Sequence, residues 1–177
     1  MSLEIVFGPM FSGKSSYALS YVRRIQSIGK RVLIIKPDND KRYSSEAVLI
    51  THDKASIPCM MWDIKNPLEC NEDVDCYLIE EAQFFHSLLK FVKMQLFNKK
   101  DILIVGLDGC SDQITFGEIV DCIPWATKVT KLCALCSKCK DGTLAPYTKR
   151  ISKREDKILV GSSEIYSAVC LKHLITE

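Results

Sequence analysis

Residues 8–15 read GPMFSGKS, and they constrain the fold more than any other part of the chain. The octet fits G-x-x-x-x-G-K-[ST] at every fixed position. An apolar run, residues 3–7, precedes it. A segment with Ala18, Tyr21, Val22, Ile25 and Ile28 at helical spacing follows, and Gly29 ends it. Strand, glycine loop and helix in that order wrap backbone N–H groups around phosphate oxygens and add the helix's positive end. Gly8, Pro9, Met10, Phe11, Ser12 and Gly13 form the expected cradle. Lys14 is placed to reach the β and γ phosphates, and Ser15 to offer a hydroxyl to Mg2+. The motif predicts a bound nucleoside triphosphate but does not separate a kinase from an ATPase switch.

The rest of the chain repeats the alternation. RVLIIK at 31–36, DCYLI at 75–79, DILIVGL at 101–107 and KVTKLCAL at 128–135 read as further strands. Residues 82–97 read as a helix with Phe85, Leu88, Leu89, Val92 and Leu96 on one side; residues 112–126 are weakly helical and broken by Pro124; residues 37–58 read as loop or edge material. Nearly continuous apolar strands separated by helices predict an α/β fold: a parallel sheet of the P-loop, RecA-like kind, with helices on both faces. The pattern stops near residue 136, where the chain becomes turn-rich. We therefore expect a nucleotide-binding domain over 1–135 and a small appended domain over 136–177.

The net charge of +2 gives no nucleic-acid footprint. No stretch reaches 18 apolar residues, so no membrane span is expected, and the first residues lack a secretory pattern. These features predict an intracellular, cytoplasmic protein.

LIEEAQFF, residues 78–85, places Glu80 and Glu81 where an apolar strand stops. Successive strand residues face opposite sides, so one acid can serve the metal and the other an acceptor group. The plainer alternative is a pair of acids opening a helix. Nine cysteines with no secretory pattern argue for metal ligands rather than disulfides. Cys136, Cys139, Cys170 and His173 form C-x-x-C and C-x-x-H halves, a Cys3His set suited to a closed, structural Zn2+ site. Cys59, Cys70, Cys76, Cys110, Cys122 and Cys133 read as core or surface thiols.

Together these segments resemble the type II thymidine kinase family, the cytosolic and large-DNA-virus kind. GPMFSGKS, DKRYSS at 40–45, THD at 51–53, EEAQFF, LDG at 107–109, KLCALCSKC, YTKR at 147–150 and LVGSSEIYSAVC at 159–170 carry the likeness in order along nearly the whole chain. The resemblance implies transfer of the ATP γ-phosphoryl group to the 5′-hydroxyl of thymidine, with Glu81 as base and Glu80 arranging Mg2+. It places Asp40 and Arg42 near the phosphates, with Arg42 offsetting charge on the transferred group. It places Met10, Phe84, Leu107, Phe116, Thr148 and Tyr166 in or near the nucleoside pocket. Leu159, Val160 and Gly161 fall on a lasso loop whose backbone reads the pyrimidine, with the zinc site anchoring that loop. It further implies a homotetramer, feedback inhibition by thymidine triphosphate, and no nucleic-acid or membrane partner.

Each pocket residue also has a plainer reading. Phe84 and Leu107 could be core, Tyr166 a loop anchor, and Asp40 and Arg42 part of a solvated charge run. Neither His52 nor His86 receives a role. Departures from the family pattern are Glu80 for Asp, Cys110 for Thr, Ser111 for a pocket aromatic, Ser162 for Gly, and two extra residues between Cys139 and Tyr147. Ser111 keeps open a broader pyrimidine deoxynucleoside kinase. The metal set keeps open a zinc-containing P-loop ATPase or nucleic-acid-binding module.

Overall fold

Every other residue of the long strands belongs to one of two apolar clusters, and this alternation builds the molecule. The computed structural model describes residues 1–39, 47–50, 55–70, 72–152 and 164–176. In chain order come β1 (Ser2–Phe7), α1 (Lys14–Ser27), β2 (Val32–Pro37), β3 (Val48–Ile50), β4 (Ser56–Pro58), β5 (Met60–Trp62) and β6 (Cys76–Ile79). Then follow α2 (Leu88–Phe97), β7 (Asp101–Gly106), β8 (Lys128–Lys131), β9 (Ala134–Leu135), β10 (Leu144–Ala145), β11 (Tyr147–Arg150), β12 (Tyr166–Val169) and α3 (Leu171–Ile175). A six-stranded sheet in the order β5-β2-β6-β7-β1-β8 forms the centre. All its pairings are parallel.

Leu3, Ile5, Tyr77, Ile79, Ile102 and Ile104 point to one face, where Leu88, Phe91 and Val92 of α2 cover them. Val6, Ile34, Leu78, Leu103 and Val105 point to the other, where Ala18, Tyr21 and Val22 of α1 cover them. Strands covered on both sides lose the polar half of the usual alternation, which is why they read as unbroken apolar runs. The sheet thus carries helices on both faces, as expected from the sequence. The phosphate loop lies at the C-terminal end of β1, beside the ends of β6 and β7.

Five details differ from the sequence reading. β5 adds an edge strand, and β3 pairs with β4 as a small antiparallel hairpin. Each of these three strands is three residues long, too short to show a period. The helix expected over 82–97 is two pieces, a 3-10 turn at Ala82–Phe84 and then α2. Ser87 breaks it with a left-handed φ of 62°. The weak helix near Pro124 is a 3-10 helix over Val120–Trp125. The strand expected over 128–135 ends at Lys131, and Ala134–Leu135 pairs instead with β10.

Beyond β8 the packing changes. Ala134, Cys136, Ala145, Ala168, Val169 and Cys170 form their own small cluster. Two short antiparallel ladders, β9 with β10 and β11 with β12, frame it.

Candidate active site and metal centre

Local backbone geometry shapes the phosphate loop. A Cβ on Gly8 would run into the carbonyl oxygen of Leu132, so only glycine lets the loop pass β8's continuation. Gly13 holds φ 82° and starts α1. Lys14 Nζ donates to the Pro9 carbonyl at 2.6 Å, and Ser12 Oγ to the same carbonyl at 2.8 Å. The cleft over the loop is lined by Met10, Gly13, Lys14, Ser15, Glu81 and Leu107, among others.

Glu80 and Glu81 part company just after β6. Ser15 Oγ donates to Glu80 Oε1 at 2.6 Å, across 65 residues of chain. Glu81 instead lines the cleft, and its Oε2 accepts a 2.6 Å hydrogen bond from Gln83 Nε2. Both acids are buried. The sequence reading separated them by strand alternation, but β6 ends at Ile79. The cause is the turn: Glu81 sits at φ 49°, ψ 44°, a left-handed conformation that swings it away from its neighbour. A hydroxyl and a carboxylate at the first turn of a helix, beside a phosphate-cradling loop, are hard oxygen donors of the kind Mg2+ takes. The longer glutamate still meets Ser15.

The remaining residues of interest lie on three segments. Leu107 follows β7, and its N–H donates to Gln83 Oε1 at 3.0 Å. Phe84 and Phe116 meet edge to face, with centroids 5.3 Å apart. Both are half-buried, as Leu107 is, so none belongs to the two sheet clusters. Thr148, on β11, is buried, and its Oγ1 accepts from the Met10 N–H at 3.0 Å. Tyr166 stands opposite Arg150 at the far end of the β11–β12 ladder. Asp40, Arg42, Leu159, Val160 and Gly161 lie outside the described residues, as do His52 and Ser162.

Sequence reasoning left two residues unassigned that the structure connects. Gln83 joins Glu81 to Leu107. Gln113 donates to the Ser111 carbonyl at 3.0 Å and the Thr148 carbonyl at 3.1 Å, tying the loop after β7 to β11. Neither carries a local signal, because their partners are set by the tertiary fold. Glu118 also acts at a distance: it accepts from the N–H groups of Ser87 and Leu89 at 3.1 and 2.9 Å and so caps α2.

The metal-ligand set converges as expected. The ligand atoms of Cys136, Cys139, Cys170 and His173 all lie within 4.8 Å of one another. Cys139 Sγ and Cys170 Sγ are 3.8 Å apart. His173 Nδ1 is 3.6, 3.5 and 3.4 Å from the sulfurs of Cys136, Cys139 and Cys170. A tetrahedral ion with bonds of about 2.3 Å to sulfur and about 2.0–2.1 Å to nitrogen spaces its ligands about 3.8 and 3.5 Å apart, so the cluster has the dimensions of such a site. Burial raises the Cys136 thiol, but N–H groups of Cys139, Cys170 and Lys138 outweigh it and bring it down to about 6. Burial and the Cys136 hydrogen bond push Cys139 up to about 11. The N–H groups around Cys136 thus favour a thiolate in this cluster, and a divalent cation would favour the thiolate form of its sulfurs.

Among the described residues no helix is long and apolar enough to cross a membrane. The family profile for thymidine kinase matches residues 1–174. The thymidine kinase of Yaba monkey tumor virus is 36% identical over 169 residues, covering 95% of this chain and 91% of the viral protein. Thymidine kinase a of Arabidopsis thaliana is 35% identical over 182 residues, covering 99% of this chain and 75% of the plant protein. The cytosolic thymidine kinase of Bos taurus is 33% identical over 172 residues, covering 95% and 69%. A phosphate loop at the end of β1, two acids in separate places and a near-full-length match agree: the chain belongs to the thymidine kinase family.

Proposed function

We propose that this protein transfers the γ-phosphoryl group of ATP to the 5′-hydroxyl of thymidine, giving thymidine monophosphate and ADP. The observation that carries this reading is the split of Glu80 and Glu81: one carboxylate bonds Ser15 of the phosphate loop, and the other lines the cleft beside Met10 and Leu107. Residues 8–15 cradle the triphosphate. Ser15 and Glu80 would hold Mg2+, which when bound neutralises charge on the β and γ phosphates. Lys14 neutralises further charge, and Arg42, Asp40 and the lasso residues Leu159, Val160 and Gly161 keep the roles the family resemblance gives them. Glu81 takes the proton of the attacking hydroxyl. Met10, Phe84, Leu107, Phe116, Thr148 and Tyr166 form the nucleoside side.

Cys136, Cys139, Cys170 and His173 would hold Zn2+, which closes a four-coordinate structural site and anchors the β11–β12 stem of the lasso. We keep the division of the chain near residue 135, which the separate C-terminal cluster supports. A homotetramer and inhibition by thymidine triphosphate belong to the same reading.

Glu81→Gln tests it. The variant is expected to bind ATP normally and to lose turnover by roughly 10²–10⁴-fold, the range of a positioned base. Near-normal turnover would remove Glu81 from the role. A second reading rests on Ser111, which is half-buried and stands where the family carries an aromatic ring. A panel of thymidine, deoxyuridine and deoxycytidine, followed by ADP release, decides whether the acceptor range is wider.

A further inference from the structure

Glu81 does not hold its place alone. Gln83 is 3% exposed, and both ends of its amide are engaged. Its Oε1 accepts from the Leu107 N–H at 3.0 Å. A backbone N–H only donates, so the oxygen must face it, and the NH2 end is left to face Glu81. That end donates to Glu81 Oε2 at 2.6 Å. The surroundings are cut to fit this side chain. A Cβ on Gly106 would collide with Gln83 Oε1, and a Cβ on Gly117 would collide with the Gln83 carbonyl oxygen. Gly117 is also at φ 64°, a conformation glycine adopts without strain. Its neighbours lock the same segment: Phe116 packs on Phe84, and Glu118 caps the helix that follows. Three consecutive residues from the loop before the Val120–Trp125 helix therefore brace the turn that carries Glu81 and Gln83.

We propose that Gln83 is the positioning residue for the base: it fixes the rotation of the Glu81 carboxylate and ties it to the end of β7 at Leu107. A glutamate turns about three side-chain bonds, and a misplacement of about 1 Å in a reacting group costs on the order of 10²-fold in rate. One amide that bonds both the carboxylate and a buried strand end removes that freedom before the acceptor arrives. The inference rests on Glu81 being the base.

Gln83→Glu separates positioning from simple packing. The variant keeps the shape and the acceptor for the Leu107 N–H but sets a second carboxyl against Glu81. The two then share a proton, Glu81 is no longer held as a free base, and the limb of the kcat pH profile that the base sets should move up in pH. Its kcat is expected to fall about 100-fold, while the KM values for thymidine and ATP stay within about threefold. Gln83→Met, apolar and of similar size, removes both bonds and should show the same kcat loss with ATP binding retained, which reports that it folds. In a Glu81→Gln background, adding Gln83→Glu should cost less than about threefold more, because the group it serves is gone. Wild-type kcat in Gln83→Glu, or a raised KM with kcat unchanged, overturns the positioning role while Glu81 stays the base. Multiplied losses in the double variant overturn it too. Near-normal turnover in Glu81→Gln alone removes the base assignment and this inference with it.

Discussion

The central sheet and the C-terminal unit solve the same problem by opposite means. The sheet buries two clusters of large side chains, among them Tyr77, Phe85, Phe91, Leu78 and Leu103, each at most 2% exposed. Among the described residues, the unit beyond β8 has Phe11, Tyr147 and Leu174 packed partly buried against a buried centre of three alanines, one valine and two cysteines. At about 25 cal/mol per Å2 of apolar surface removed from water, such small side chains contribute little. Four ligand atoms within 4.8 Å of one another supply the missing cohesion once a cation joins them. The sheet is thus stable by burial, and the C-terminal unit would draw its stability from coordination. One chain can then pair a sheet that needs no ion with a small unit whose cohesion depends on one.

Metal removal should break the comparison most sharply. Structural zinc of this type supplies on the order of 10 kcal/mol to folding. Chelation, or Cys170→Ser, is expected to abolish nucleoside phosphorylation while the sheet stays folded. Thiol labelling followed by mass mapping checks it. Without chelator, exposed Cys133 reacts first. Cys76 and Cys122, pushed by burial to about 11 and about 12, stay protected. With chelator, Cys136, Cys139 and Cys170 should join the labelled set while Cys76 and Cys122 remain silent. Labelling of all of them together would mean that the two regions unfold as one.

The converse substitution is next in size. Phe91 fills the α2 face at 1% exposure and meets Tyr77 edge to face with centroids 5.3 Å apart. Phe91→Ala should cost about 3–5 kcal/mol, measured by denaturant unfolding, and leave the metal stoichiometry unchanged. A variant that loses metal as readily as it loses stability would couple what the packing separates.

The smallest effect is a pH dependence at the edge of the sheet. Asp101 opens β7 and accepts from Lys30 Nζ at 2.7 Å and from Ser2 Oγ at 2.9 Å. Burial raises its carboxyl, but these two bonds outweigh burial and hold it below the ordinary aspartate range. A depressed folded value means stability that is full above the unfolded aspartate range and is lost as pH falls through the folded value. Asp101→Asn should therefore flatten the acid limb of the stability curve in that window alone, with the metal unit contributing its own, separate acid loss as its ligands protonate.

Much of this was legible from the chain, and the reasons differ by element. GPMFSGKS and the Cys3His spacing are local, so their chemistry shows in the order of residues. β1, β2, β6 and β7 show because burial on both faces leaves no polar alternation to confuse. β5 and the β3–β4 hairpin are hidden because three residues hold no period and pairing decides them. The separation of Glu80 from Glu81 was expected for the wrong reason: a left-handed turn at Glu81 achieves it, and no composition rule marks that turn. Gln83 was legible as a letter and illegible as a role, since Leu107 and Gly117 reach it only after folding.

One bond sets where this chain tolerates insertions. The Thr148 hydroxyl meets the Met10 N–H only because β11 keeps its register with β12. Side chains on a strand alternate, so one residue inserted between Tyr147 and Thr148 would turn that hydroxyl to the opposite side and disconnect the stem from the phosphate loop. The exposed turn around Asp141 and Gly142 has no such duty, and Gly142 there has open space around it. That turn lies between Cys139 and Tyr147, upstream of the register. Length drift, and any tag or label a designer might add, belongs in that turn and not between Tyr147 and Thr148.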